Sequence, residues 1–247
     1  MKGIILAGDS RSNLYPLTVA LPKQLLPIYD RPMIYYPIET LVQAGINEIL
    51  IITTQEHQSL FKKTISDLSF KDVQFSYTIQ NTPEGIAQAI SIGKEFIGRD
   101  SVCLITGDTI IIENNISKKL RTAIKTAEKS GNATIFVKRD WDSNQYGKVI
   151  LNNDGTIKNI GGNVDTQNYY SITGLYVFPN SVLQQLDRIE PSERGKFEIT
   201  SINKLFFEDC KLQIQKLNLD CMWFDTNTFD NLLTCSKYMQ QHKDSSK

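Results

Sequence analysis

Short apolar runs alternate with longer amphipathic segments through the first half of the chain. The apolar runs are typical of buried β-strands and predict strands at Gly3–Ala7, Glu48–Thr53, Val73–Gln80, Ser101–Thr106 and Asn132–Lys138. The segments between them predict helices at Pro32–Ala44, Gln58–Ser66, Gly85–Phe96 and Ser117–Lys129. Strands that alternate with helices indicate right-handed βαβ units, and continuous apolar strands fit a sheet covered on both faces.

The second half of the chain has a different pattern. Asn152-Asn153-Asp154-Gly155 separates two short strand-like runs and is a strong hairpin signal. Further strands are predicted at Gly174–Phe178 and Leu212–Leu217, and helices at Val182–Leu186, Glu198–Glu208 and Phe229–Gln241. The whole pattern predicts an α/β fold with a Rossmann-like, mostly parallel central sheet flanked by helices and a small antiparallel appendage. We expect one domain over residues 1–241 and a polar, disordered tail over 242–247.

The charge balance excludes some partners. Among 247 residues, Lys+Arg and Asp+Glu are both 27, so no global field attracts nucleic acid or an anionic membrane. The N-terminus does not resemble a signal peptide, and no apolar stretch approaches the ~18–20 residues of a membrane span. The four cysteines form no CxxC pair, which argues against a zinc site or a disulfide framework. We expect a soluble, cytoplasmic protein.

Ligands of parallel sheets bind beyond the carboxyl ends of the strands, so the loops after Leu6, Thr53, Gln80 and Thr106 are the candidate site. After Leu6 and Ala7, backbone N–H groups near Gly8, Ser10 and Ser12 are placed to cradle phosphates. The loop nevertheless keeps a single glycine, and Asp9 adds a negative charge.

Four other polar residues are candidates for chemistry. Lys23, between two prolines, is suited to pair with a phosphate, although a lone lysine is more often a solvated surface residue. The Gln80 amide could pair with the edge of a base, with an ordinary turn as the alternative. Asp108 and Asp225 together could hold Mg²⁺, whereas each alone would more often cap a helix or a turn.

The residues of these segments, and the order of the segments along the chain, resemble the sugar nucleotidylyltransferase family and, within it, the glucose-1-phosphate thymidylyltransferases. The matching segments are MKGIILAG, YPLT, PKQLLPIYDRPMIYYPIETL, AGINEILIIT, PEGIAQA, YGKV, YSITGLYVF, ERGKFEITSIN and WFDTNTFDNLL. The resemblance implies the nucleotidyltransferase fold. It also implies a reaction in which a nucleoside triphosphate (dTTP) and a sugar-1-phosphate (glucose-1-phosphate) give a nucleotide sugar and pyrophosphate, with Mg²⁺ as cofactor.

The resemblance also implies roles for individual residues. Lys23 would contact the sugar phosphate, and Asp108 and Asp225 would hold the metal. Nucleotide binding falls on Leu6, Ala7, Gly8, Ser10, Ser12, Gln24, Gln80, Pro83 and Gly85. Binding of the sugar and its phosphate falls on Tyr146, Gly147, Ile172, Thr173 and Arg194.

The chain departs from the family in the same cleft. Where the family reads GGxGTRL, Asp9 replaces the second glycine, Arg11 the third and Asn13 the arginine that grips the triphosphate. A sugar-holding glutamate and a phosphate-binding lysine of the family fall in register at Gly161 and Gly162. Losing one such group commonly costs ~10²–10³ in rate. Arg11 is the candidate to replace the lost arginine in catalysis.

Two functions therefore compete. The first is an active but impaired or altered nucleotidylyltransferase. The second is a catalytically inactive relative that binds nucleotide or nucleotide sugar, or acts as a partner or regulatory subunit. We expect small-molecule ligands rather than nucleic acid or membrane, and either a homo-oligomer or pairing with an intact paralogue. A dehydrogenase is disfavoured because the loop is not GxGxxG.

Overall fold

The computed structural model describes residues 1–8, 13–68, 70–139, 147–161, 169–193 and 195–244. The helices of this part of the chain are α1 (Tyr35–Gln43), α2 (Gln58–Ser66), α3 (Gln88–Ile92), α4 (Lys94–Ile97), α5 (Ile116–Ser130), α6 (Val182–Gln185), α7 (Ile199–Glu208) and α8 (Phe229–Asp244). The strands are β1 (Lys2–Leu6), β2 (Pro27–Ile28), β3 (Arg31–Pro32), β4 (Glu48–Thr53), β5 (Gln74–Ile79), β6 (Val102–Thr106), β7 (Thr109–Ile112), β8 (Ala133–Arg139), β9 (Lys148–Leu151), β10 (Ile157–Ile160), β11 (Tyr169–Phe178), β12 (Leu212–Lys216) and β13 (Met222–Asp225).

Nine of the described strands form one sheet. The strands β5, β4, β1 and β6 are consecutive and parallel, and β11 follows β6 in the antiparallel direction. β8 and β9 both pair with β11, and β12 and β10 lie beyond them. From these pairings, seven strands run in one direction, and only β10 and β11 run in the other. The predicted mostly parallel sheet with small antiparallel additions is confirmed.

Helices cover both faces of this sheet. Ile5 of β1 packs into a core with Ile38 of α1, Phe61 of α2 and Leu120 of α5. The preceding residue, Ile4, points to the opposite face, where the core is built with α3, α4, α6 and α7. Successive strand residues are buried on alternate faces. This burial on both sides explains why the strands read as continuous apolar runs.

The segment Gly85–Phe96 is not the single helix that the pattern predicted. It contains the two short helices α3 and α4, and the break falls at Gly93. A Cβ on Gly93 would lie 2.5 Å from Ile4 Cδ1, so the helical layer passes β1 at a distance that only glycine permits. The segment before Gln88 is irregular and lines the site described below.

Two further features differ from expectation. The strands β7 and β13 form a separate antiparallel ribbon that the hydrophobic pattern did not predict. Helix α8 runs to Asp244, beyond the predicted helix Phe229–Gln241. Within the ranges that the structure describes, no helix combines the length and the apolar character needed to cross a bilayer.

Candidate active site

A cleft with a volume of about 360 Å³ lies beyond the carboxyl ends of the parallel strands. Leu6 and Thr106 line it from the ends of β1 and β6, and Gln80 lines it from the residue after β5. This is the edge at which the sequence places the candidate loops. The cleft is the binding site expected for an open parallel sheet.

The structure brings most of the predicted site residues to this cleft. Those that line it are Leu6, Gln24, Gln80, Pro83, Gly85, Asp108, Gly147, Ile172, Thr173 and Asp225. Ala7 is buried in the core beneath it. The candidates that lie outside the described residues are Ser10, Arg11, Ser12, Tyr146 and Arg194.

The two aspartates meet through the β7–β13 ribbon. Asp225 is the register partner of Thr109, and Asp108 is the residue immediately before Thr109. Burial raises the pKa of Asp225 above its ordinary value, and the charge of Asp108 raises it further. Burial would also raise the pKa of Asp108, but the Lys23 ammonium, together with hydrogen bonds from Thr106 and the local backbone, more than offsets this and holds the pKa below its ordinary value. The two residues form an acidic pair in which the charge of Asp225 is poorly compensated.

Lys23 is not a surface lysine. Only 2% of its side chain is exposed, and its ammonium donates to Asp108 Oδ2 at 2.7 Å and also to Asn227 Oδ1. Asn227 in turn donates through Nδ2 to Asp225 Oδ1. The four side chains thus form a chain of hydrogen bonds with Lys23 and Asn227 between the acids. Lys23 is buried and ion-paired with Asp108, so the solvated alternative for this residue is wrong.

The nucleotide-side candidates are tightly packed. A Cβ on Gly8 would lie 2.2 Å from Gln80 Oε1, so the glycine gives the amide its space. Gln80 and Gln24 are each only 2% exposed. The Gln24 Oε1 atom is buried, and no described residue donates a hydrogen bond to it. An unsatisfied buried acceptor in a cleft wall is suited to a donor from a ligand.

Gly85, which the resemblance assigns to nucleotide binding, also has a structural role. Its φ is +108°, and a Cβ would lie 2.3 Å from the Phe197 carbonyl oxygen. The Cβ direction therefore faces protein backbone, and only glycine fits this crossing. Two backbone hydrogen bonds hold this crossing: Phe197 N–H donates to the Glu84 carbonyl at 2.6 Å, and Ala87 N–H donates to the Phe197 carbonyl at 3.2 Å.

The opposite wall is ordered by hydroxyl groups. Thr106 and Thr109 share a hydrogen bond of 2.6 Å, and Thr109 donates to the Thr173 carbonyl at 3.1 Å. The Thr173 hydroxyl donates to the Phe136 carbonyl at 3.1 Å. Gly174, with φ +82°, has Thr109 Oγ1 only 2.6 Å from its Cβ position. This wall is preorganised by contacts that join β6, β7, β8 and β11.

Sequence reasoning missed several polar residues of the cleft, among them Asn227, Lys196 and Glu198. Asn227 lies two positions after Asp225, and its amide character is the only local signal. Lys196 and Glu198 line the cleft from the segment before α7. Lys196 is exposed and has no ion-pair partner within the described chain. A lysine near a predicted phosphate-binding stretch was a usable signal for this residue.

The donor set suits a hard divalent cation. Two neighbouring carboxylates, one with a poorly compensated charge, match the preference of Mg²⁺ for one or two carboxylates together with substrate phosphates. The described residues contain no cluster of three or more His, Cys, Asp or Glu side chains that would form an all-protein metal cage.

Comparison with known proteins points to one family. The nucleotidyl transferase family model matches residues 2–242. The chain is 39% identical to a glucose-1-phosphate thymidylyltransferase of Neisseria meningitidis over 97% of its own length and 83% of the relative. It is 38% identical to the enzyme of that name from Mycolicibacterium smegmatis, over 97% of this chain and 82% of the relative.

A solved structure shows the same fold. A Bacillus anthracis chain described as a glucose-1-phosphate thymidylyltransferase, in complex with sucrose, superposes with a TM-score of 0.85 at 30% identity. The match covers 96% of this chain and 94% of the other. The chain therefore belongs to the nucleotidyl transferase family.

Proposed function

We propose that this protein is a sugar-1-phosphate nucleotidylyltransferase that joins dTTP to glucose-1-phosphate and releases pyrophosphate. The observation that carries the proposal is the Asp108–Lys23–Asn227–Asp225 chain of hydrogen bonds beside a cleft that the Gln24 and Gln80 side chains also line. The substrates are those in the names of the relatives, which share 37–39% identity over nearly the whole chain.

The reaction forms one bond and breaks one. An oxygen of the sugar phosphate attacks the α-phosphorus of the triphosphate, and the bond from that phosphorus to the oxygen bridging to the β-phosphate breaks. The pyrophosphate leaves with that oxygen and its electron pair. Little covalent chemistry falls to the protein, so positioning and charge stabilisation dominate.

Asp108 and Asp225 are the residues that would hold Mg²⁺ in this reaction. When bound, the ion would neutralise the charge that develops on the phosphates. The neighbouring Lys23 would then exchange part of its bond with Asp108 for an oxygen of the sugar phosphate. Asn227, which contacts both Lys23 and Asp225, would keep the ammonium beside the reacting groups.

The sugar would lie against the hydroxyl-ordered wall. Ile172, Thr173 and Gly147 line this side, and Thr173 is held by its bond to Phe136. We further propose that Tyr146 contacts the sugar and that Arg194 contacts phosphate. Both assignments rest on the family resemblance, since these residues lie outside the described part of the chain.

A reduced rate is part of the proposal. The loop substitutions Asp9, Arg11 and Asn13 remove a cation and add a carboxylate, and we propose that Arg11 takes over phosphate binding. Gly161, where the family has a sugar-holding glutamate, adopts φ +79°, and a Cβ there would lie 2.7 Å from Thr200 Cγ2. The local backbone therefore suits a glycine and offers no sugar-binding carboxylate at this position.

The same observation supports a second candidate, an inactive relative that binds nucleotide or nucleotide sugar or serves as a partner subunit. Pairing with an intact paralogue, a homo-oligomeric state and a cytoplasmic location stay predictions.

The test is pyrophosphate release from dTTP and glucose-1-phosphate with Mg²⁺, compared with the Neisseria meningitidis relative. We expect slow release that requires both substrates and that Asp108→Asn abolishes, while the exposed control Asp187→Asn leaves it unchanged. Arg11→Ala should remove most of the remaining rate, and Arg99→Ala, on an exposed site, should not. Nucleotide binding without release would favour the inactive relative. A protein that neither binds nucleotide nor releases pyrophosphate would contradict both candidates.

A further inference from the structure

The Gln80 amide is held by a second amide and a carboxylate. Gln80 Nε2 donates to Gln88 Oε1 at 2.5 Å. Gln88 Oε1 also accepts from the Glu84 backbone N–H at 3.0 Å, and Gln88 Nε2 donates to Glu84 Oε2 at 2.9 Å. Glu84, Gln88 and Gln80 therefore form a relay that runs from the α3 turn to the cleft.

The contact between Glu84 and Gln88 determines which groups donate and which accept along the whole relay. An ionised carboxylate only accepts hydrogen bonds, and a backbone N–H only donates them. The Gln88 amide contacts both the backbone N–H and the carboxylate of Glu84. Its NH₂ group must therefore face the carboxylate, and its carbonyl oxygen must face the backbone N–H. The Gln88 carbonyl then requires a donor from Gln80, and a reversed Gln80 amide would bring two carbonyl oxygens together.

The relay thus determines which Gln80 atom is available to a ligand. With one Nε2 proton committed to Gln88, the amide offers its Oε1 acceptor and its second N–H. Within the described residues, no group donates to Gln80 Oε1. The oxygen occupies the space that Gly8 leaves open, 2.2 Å from where a Cβ of that residue would lie. Because Gln80 lines the cleft, this ordered acceptor–donor pair is placed to meet a ligand there.

We propose that Glu84 and Gln88 are positioning residues that set the base preference of the cleft, through Gln80, for the imide edge of thymine or uracil. This inference rests on the proposed function. The imide edge presents N3–H, which pairs with Gln80 Oε1, and an adjacent carbonyl, which accepts the second Nε2 proton. Cytosine presents the reverse, an unprotonated N3 and an amino group, and would need the amide rotated by half a turn. The relay opposes that rotation because it would face Gln88 Oε1 with a second acceptor.

The test is the ratio of dissociation constants for dCTP and dTTP, measured by calorimetry with Mg²⁺. We expect the intact protein to bind dTTP at least about tenfold more tightly, as for other paired amide–base contacts. Gln88→Met keeps the side-chain length and removes the relay, so the ratio should fall by about tenfold while the melting temperature stays close to that of the parent. Gln213→Met, on the exposed face of β12, is the matched control and should leave the ratio unchanged.

Glu84→Gln is the second variant, because it removes the group that fixes the Gln88 amide and keeps its size. The ratio should move toward one, by less than in Gln88→Met, since the Glu84 backbone contact remains. A ratio that is unchanged in the folded Gln88→Met or Glu84→Gln protein would overturn the inference. Equal binding of dTTP and dCTP by the parent, or binding of purine triphosphates alone, would also overturn it while leaving nucleotidyl transfer intact. Absence of any nucleotide binding would overturn the proposed function as well.

Discussion

The Lys23 ammonium lies 2.7 Å from Asp108 Oδ2, although only 2% of the lysine side chain is exposed. A cation this deeply buried is retained because Asp108 neutralises its charge and Asn227 Oδ1 accepts a second hydrogen bond from it. The cation nearest the acidic pair is thus already engaged. In the proposed function, substrate phosphates would compete with Asp108 for it.

Lys23→Met is expected to lower the free energy of unfolding by roughly 1–3 kcal/mol, because it leaves the half-buried Asp108 carboxylate without its partner. Adding Asp108→Asn should recover part of this loss, since the amide carries no charge. Urea denaturation of the two single variants and the double variant measures the coupling. Lys129→Met, on an exposed helical position, is the control and should change stability little. If the effects of Lys23→Met and Asp108→Asn on the free energy of unfolding are additive, the two side chains do not interact and the prediction is wrong.

The two aspartates should respond to pH in opposite ways. Burial raises the folded-state pKa of Asp225, so its stabilising contribution is present below the ordinary value of 3.8 and is lost as pH rises through the folded-state value. Asp225→Asn should therefore raise the melting temperature at pH 7 and lose this advantage at acidic pH.

For Asp108 the sign is reversed. Lys23 holds its folded-state pKa below 3.8, so its contribution is present above 3.8 and is lost as pH falls through the folded-state value. Asp108→Asn should lower the melting temperature at pH 7, with a deficit that shrinks in acid. Thermal unfolding between pH 3 and pH 8 tests both variants, with exposed Asp220→Asn as the control. If the melting temperatures of the two variants change in parallel with pH, the opposite pKa shifts assigned to Asp108 and Asp225 are wrong.

Lys196 should contribute to phosphate binding. It is a cation on the cleft wall with no ion-pair partner among the described residues, so its charge is available to an anionic ligand. Lys196→Ala is expected to raise the dissociation constant for dTTP by about tenfold at low salt, and by less as added salt screens the charge. Lys204→Ala, an exposed lysine that is not on the cleft wall, is the matched control. Equal effects of the two substitutions would show that only net charge matters.

Cys210, outside the candidate site, allows a test of the backbone conformation at the end of α7. It follows helix α7 with φ +56°, and the Cys210 and Lys211 N–H groups donate to the Phe207 and Phe206 carbonyls in a Schellman ending. Glycine adopts this conformation without steric cost, so Cys210→Gly should stabilise the protein by about 1 kcal/mol. Gly131→Ala, at φ +66° after α5, should destabilise it by a similar amount. Denaturant titration measures both, and a destabilised Cys210→Gly protein would contradict the geometry.

Periodicity located the parallel strands and most helices because both faces of the sheet are buried. The predicted ranges of β4 and α2 coincide with the observed ones. Periodicity failed at Gly85–Phe96 because the helix-like pattern extends through Gly93, the residue at which the segment is divided into α3 and α4. It also failed for β7 and β13, whose pairing is determined by residues far apart in the chain.

The sequence located the candidate site at the ends of the strands. The resemblance to the family added Asp225, which lies far from these strands in the chain. The partners of each side chain were not predictable. Nothing local to Lys23 shows that it is buried, and the burial depends on Asp108 and Asn227 from other elements. The reason for Gly85 was likewise hidden, because the Phe197 backbone that crosses it comes from the second half of the chain.

The β7–β13 ribbon has a consequence for biosynthesis. Its first strand is translated more than a hundred residues before its second, and a ribosome makes the chain from its N-terminus. The strands β1, β4, β5 and β6 can therefore pair before Asp225 exists, because all of them precede residue 107. A nascent chain can thus possess the strand ends of the cleft at β1, β5 and β6 while its acidic pair is still incomplete. The pair is completed only when residues 222–225 dock beside β7.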